Sequence, residues 1–249
     1  MKTTAPSLRL LGAAALLVPV LTAQAADLNK INTLTQTDFR LLSEDLGAAL
    51  SYKGLVPAES LGITGFDIGV AATGTSLQHR DILAKAANGS TVPKTLPVTT
   101  VRVVKGLPFN IDIGAAVGTV PGTDLRVSGA ELRWAILPGS TLMPAIALRG
   151  GVSYASGVDQ LKLRTTSLDL SISKGFLMFT PYAGVGIVKV ASQAKTVDGQ
   201  VPTATQKESF DESKVFAGVN LNLGLVNIAV EGDKTGDASS YGLKLGFRF

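Results

Sequence analysis

The sequence predicts an all-β fold: an antiparallel transmembrane β-barrel of about ten strands, preceded by a short helical segment. Three observations predict it. Of the 249 residues 45% are hydrophobic and only 17% charged, yet beyond the N-terminal region no apolar run reaches the roughly 18 residues that a membrane helix needs. The apolar residues instead alternate with polar ones in stretches of strand length, which gives each stretch one greasy and one polar face. The connections between these stretches are short on one side and longer on the other. A mean hydropathy of +0.30 argues against disorder, which requires low hydrophobicity and high net charge. The absence of cysteine excludes disulfides and thiolate metal sites.

The first element is a targeting segment. Lys2 and Arg9 precede the apolar run Leu10 to Leu21, which ends in Ala23-Gln24-Ala25; residues 1–25 read as a secretory signal peptide cleaved after Ala25. The run is too short to span a bilayer, and Pro19 interrupts it. Its removal takes two basic side chains with it, so the formal charge falls from +4 to +2 (4 − 2), and no nucleic-acid partner is implied.

Residues 26–63 lack the alternation and form a separate N-terminal segment, placed on the periplasmic side or as a plug. Thr37 is a candidate cap for a helix to about Leu50, with Phe39, Leu42, Leu46 and Leu50 at near-helical spacing. Such a helix could plug the lumen, lie on the inner leaflet or contact another protein. An extra strand over Leu46–Lys53 is the alternative.

Residues 64–249 carry ten predicted strands, at about 64–78, 95–105, 110–119, 124–137, 143–156, 161–174, 178–192, 212–223, 225–233 and 239–249. A tilted strand needs about 9–11 residues to cross the hydrocarbon. Lipid offers no partner to an open sheet edge, so the sheet must close. The connections at Gly106–Phe109, Pro138–Leu142, Gly175–Leu177 and Gly224 fall on one side and are short, whereas His79–Lys94 and Gln193–Asp211, on the other, are the longest. Short periplasmic turns and longer outer loops are the barrel asymmetry.

Facing follows from the alternation. Phe66, Ile68, Val70 and Ala72 point to lipid, as do Ile111, Ile113, Ala115 and Val117; Ala130, Leu132, Trp134 and Ile136; Ile146, Leu148 and Val152; and Leu168, Leu170 and Ile172. Strand two is ambiguous, because Val101, Val103 and Val104 do not alternate. The inward charges are then Asp67, Asp112, Glu131, Asp169 and Glu231 against Arg102, Arg133, Arg149, Lys244 and Arg248, five of each sign. They could pair to fill a narrow lumen or line a watery path. Balanced signs favour neither strong cation nor strong anion selectivity. Trp134, Phe176, Phe179 and Tyr154 sit where interfacial girdles are expected.

In the last strand, Tyr241, Leu243, Leu245, Phe247 and Phe249 occupy every second position and the chain stops on Phe249. Behind a cleaved signal peptide, this strand resembles the terminal strand of Gram-negative outer-membrane β-barrel proteins. The resemblance implies an outer-membrane location, lipid as the lasting partner, recognition of these five residues by the barrel-assembly machinery, and periplasmic chaperones during biogenesis. Residues 179–187, Phe-Thr-Pro-Tyr-Ala-Gly-Val-Gly-Ile, resemble the Pro-Tyr-x-Gly-x-Gly strand of small outer-membrane barrels, with Gly184 and Gly186 leaving inward space beside Tyr182. No helix follows to make these glycines a phosphate site, so no cofactor is implied. An inserted 26–63 resembles the hatch of long-chain fatty-acid transporters at the level of fold alone.

Catalysis and metal binding find little support. His79 is the single histidine, with Asp81 two positions on. The omptin-type outer-membrane proteases require an Asp–His pair and a second acidic pair, yet neither Asp-x-Asp nor Asp-x-His occurs; a Gly-x-Ser-x-Gly elbow is also missing. One histidine is too few for a metal site. The chain thus reads as a non-enzymatic barrel: a porin-like channel or transporter for an unidentified small solute, or a structural or surface-interaction barrel with a blocked lumen.

Overall fold

The computed structural model describes residues 28–196 and 207–249; the predicted signal peptide lies outside them. Ten antiparallel strands form one closed barrel in sequence order: β1 (Phe66–Ser76), β2 (Thr95–Leu107), β3 (Ile111–Thr119), β4 (Arg126–Leu137), β5 (Ala145–Ser156), β6 (Leu161–Ser173), β7 (Phe179–Ala194), β8 (Lys207–Leu223), β9 (Val226–Thr235) and β10 (Ala238–Arg248). The seam pairs β1 with β10 from Asp67↔Arg248 to Thr75↔Ser240. At its end the Phe66 and Phe249 amides and carbonyls exchange hydrogen bonds (2.6 and 3.0 Å), and the two rings stack with centroids 5.7 Å apart. The terminal aromatic thereby helps complete the closure that hydrocarbon demands.

Four short turns lie at one end of the barrel, and the 77–94 connection, with the end of β7 and the start of β8, lies at the other. The former is the turn end and the latter the loop end. The ambiguity in strand two resolves with Val101 and Val103 outward, and Val104 inward beside the buried Arg102.

The segment before β1 does not sit below the barrel, as a periplasmic placement would have it. It runs through the bore. Helix α1 (Gln36–Leu50) is capped not by the expected Thr37 but two residues earlier by Thr35, and Thr35 Oγ1 accepts the Asp38 amide at 3.1 Å. Phe39, Leu42, Leu46 and Leu50 make one apolar stripe and all are buried. The helix stops at Ser51, whose Oγ returns to the Ala48 carbonyl (2.9 Å), so no strand forms over Leu46–Lys53. Gly47 allows close approach to the wall, since a Cβ there would fall 2.5 Å from a Val190 methyl.

The stripe meets a second helix, α2 (Arg80–Ala86), carried by the β1–β2 loop. Ile31, Leu34, Phe39, Leu42 and Leu46 cluster with Leu77, Ile82, Leu83, Val120, Leu125, Leu161 and Leu163. The main apolar core thus sits at the loop end, between the inserted helix and the loop that covers it. Asp45 clamps the two together, accepting the amides of Gln78 (3.0 Å) and His79 (2.7 Å). From Ser51 the chain descends to the turn end, where Ala58 packs with Ala135, Ala145 and Ala147 before β1 begins.

Phe39 is fully buried between helix and loop. Phe39→Ala should therefore weaken docking of the segment by about 3–5 kcal/mol while leaving the strand ladder intact. Limited proteolysis is expected to cut residues 51–61 in the variant and not in the parent, with both barrels keeping their folded gel mobility.

Candidate functional site

The strand alternation delivers charged side chains to the bore in three tiers. At the turn end, Asp67 receives both Lys244 Nζ (2.7 Å) and Arg248 (2.8 Å), while Asp112 is bound by the Arg133 guanidinium through two hydrogen bonds (3.0 and 2.7 Å). In the middle tier, Asp169 lies between Arg149 (2.7 Å) and Lys214 (3.2 Å), and Arg102 stands 3.7 Å from Glu131. Glu231 accepts the Tyr182 hydroxyl at 2.9 Å. Nearer the loop end, Lys53 reaches Asp233 (2.7 Å) and Ser240 (3.3 Å).

All ten inward charges named from the sequence therefore face the bore, and nine of them are buried, with Arg248 partly exposed at the turn-end mouth. Three further buried charges join them: Lys53, Lys214 and Asp233. Lys214 was legible in the outward alternation of Val215, Ala217, Val219 and Leu221. Lys53 carries no periodic signal, because it follows a helix on irregular chain.

These groups bind more than one another. Arg102 Nη1 donates to the Lys53 carbonyl (2.9 Å), and Arg133 Nη1 to the Pro57 carbonyl (2.7 Å). The Leu55 amide donates to Glu231 (3.2 Å) and the Leu61 amide to Asp112 (3.0 Å). The Ala58 amide donates to Ser173 Oγ (3.1 Å). Gly54 passes so close to Arg149 that a Cβ would overlap the guanidinium. The irregular stretch 51–61 has no regular partner for its backbone, and buried peptide groups must be satisfied; the wall's charged side chains supply the partners.

The inward room beside Tyr182 is taken by the Phe216 ring against Gly184 and by Asp169 against Gly186. A cavity of about 40 Å³ remains in the bore, beside Tyr52 and Arg102. His79 Nδ1 lies 3.7 Å from Asp45, not beside Asp81.

Outside, the pattern reverses. Val70, Val101, Leu132, Leu168, Val185, Val230 and Leu243 stand exposed around the barrel, with Trp134, Phe176 and Phe179 at the turn end and Tyr154 toward the loop end. A closed antiparallel sheet with paired charges inside, an apolar belt outside and aromatic girdles at both rims is the arrangement of a barrel that spans a membrane. The chain is a closed ten-stranded antiparallel β-barrel with an apolar outer belt. No family model matches it, and no curated protein does. Among solved structures the barrel is similar to the N-terminal β-barrel domain of Pseudomonas aeruginosa OprF (13% identity, covering 76% of this chain and 99% of that one, TM-score 0.35). It is also similar to KdgM porin (9%, 74% and 99%, TM-score 0.38) and to the outer-membrane protease OmpT of Escherichia coli (11%, 74% and 95%, TM-score 0.39).

Asp169 serves two buried cations at once. Asp169→Asn should strand Arg149 and Lys214 and cost about 3–5 kcal/mol, the usual penalty for removing one partner of a buried pair. Thermal unfolding of the purified barrel should show the loss, and Asp169→Asn combined with Lys214→Met should recover part of it.

Proposed function

We propose that this barrel is a structural or surface-interaction protein whose bore is sealed by its own N-terminal segment. The observation that carries the reading is the pinning of residues 51–61 by Arg102, Arg133, Glu231 and Asp112. Each of these side chains also faces a partner across the wall, so the segment and the wall form one network. A barrel of eight strands is already filled by side chains; ten strands leave room for one extended chain, and this chain occupies it. With short turns toward the periplasm, the loop end faces outward, and the inserted helix with its covering loop forms the outer surface.

A small-solute channel is the second reading. It is favoured by the polar nature of the pins, which water could replace more readily than an apolar plug, and by the two-signed wall that withdrawal of the segment would uncover.

Planar-bilayer recording separates the two. The intact protein should be silent at low voltage, and a variant lacking residues 26–63 should conduct with weak selectivity between cations and anions. Steady conductance of the intact protein would overturn the sealed-bore reading in favour of the channel.

A further inference from the structure

On the lipid-facing side, the apolar belt gives way toward the loop end to a small basic cluster that the lumen network does not use. Along β6 the outward positions run Ile172, Leu170, Leu168, Thr166, Arg164 and Lys162; along β4 they run Trp134, Leu132, Ala130, Ser128 and Arg126. The intervening strand offers Tyr154 and Ser156 at the same height, because Tyr154 pairs with Ser128 on one side and Arg164 on the other, and Arg126 pairs with Ser156. Arg164 lies over the Tyr154 ring at 5.4 Å. Arg126, Lys162 and Arg164 are all exposed.

Among the described residues, none of these three cations has a carboxylate within 4 Å. The nearest acidic residues in sequence, Asp124 and Asp159, lie in the adjoining loops and do not engage them. The turn end differs. Its lysines are tied down, Lys105 by the carbonyls of Ile63 and Gly65 and Lys174 by those of Ser140 and Thr141. The uncommitted cations therefore stand at one leaflet only, beside an aromatic residue that marks the depth of the headgroups.

We propose that Arg126, Lys162 and Arg164, with the hydroxyls of Tyr154 and Ser156, bind the phosphorylated headgroup of an outer-leaflet glycolipid. Strands β4 and β6 are two spacings apart, about 10 Å, so one phosphorylated sugar can bridge their cations while its acyl chains descend over Ala130, Val152 and Leu168. Guanidinium groups suit phosphate because they offer paired donors. The site is independent of whether the bore conducts.

The test uses the folded full-length barrel in neutral detergent, with binding read by native mass spectrometry. Diphosphoryl lipid A, its dephosphorylated form and inorganic phosphate are the three probes. A basic residue at an anionic surface changes affinity about fivefold, so Arg126→Ala/Lys162→Ala/Arg164→Ala should bind diphosphoryl lipid A roughly 100-fold more weakly, while Lys207→Ala/Lys234→Ala should match the parent. The dephosphorylated lipid should bind parent and triple variant alike. Equal binding of diphosphoryl lipid A by parent and triple variant overturns the proposal, as does equal binding of the two lipids by the parent. Saturation by inorganic phosphate as tight as by the lipid would reassign the cluster to a free anion. Should the triple variant fail to fold, Arg126→Ala and Arg164→Ala are read singly, each about fivefold weaker.

Discussion

A sheet placed in hydrocarbon has to close, because the amides and carbonyls of an open edge would find no partner there. Everything else in this molecule follows from that closure. Ten strands enclose a bore of fixed width, alternate side chains are forced into it, and whatever enters must satisfy its charges and its peptide groups there. The stacking of Phe66 on Phe249 at the seam and the ion pairs of the interior answer the same demand at two places.

The interior solves its electrostatics locally. Asp67, Asp112 and Asp169 each hold a cation from a nearby position on the wall, and the guanidiniums of Arg102 and Arg133 each turn an Nη1 donor toward the inserted chain. Buried pairs of this sort do not necessarily add stability over apolar packing. Their value here lies in what they hold: a segment without secondary structure, whose carbonyls and amides could not otherwise be buried. The loop end uses a different chemistry. There the inserted helix is amphipathic, and leucines and Phe39 do the work that guanidiniums do lower down.

The strands were legible because their period is two residues and their faces are opposite in character. Ile68, Val70 and Asp67 assign β1 by themselves, and Leu168, Asp169 and Leu170 assign β6. The signal failed where a valine is buried against the lumen network, as Val104 is beside Arg102, since apolar character then no longer means lipid. The helix was legible from Phe39, Leu42, Leu46 and Leu50, but its place was not. An apolar stripe says that something covers it and leaves open whether that partner is a membrane surface or the inside of a barrel. The contacts that decide the matter, from Asp45 to the amides of residues 78 and 79 and from the wall to residues 53–61, join side chains to backbone groups over long sequence distances, which no periodic pattern encodes. Lys53 was invisible because it sits on irregular chain after the helix, where no period applies.

The inserted segment has its start, near Leu28, at the loop end and its finish at the root of β1. Because that finish is continuous with β1, the segment is a tethered stopper: contacts that let go would still leave it attached to the wall by its own chain.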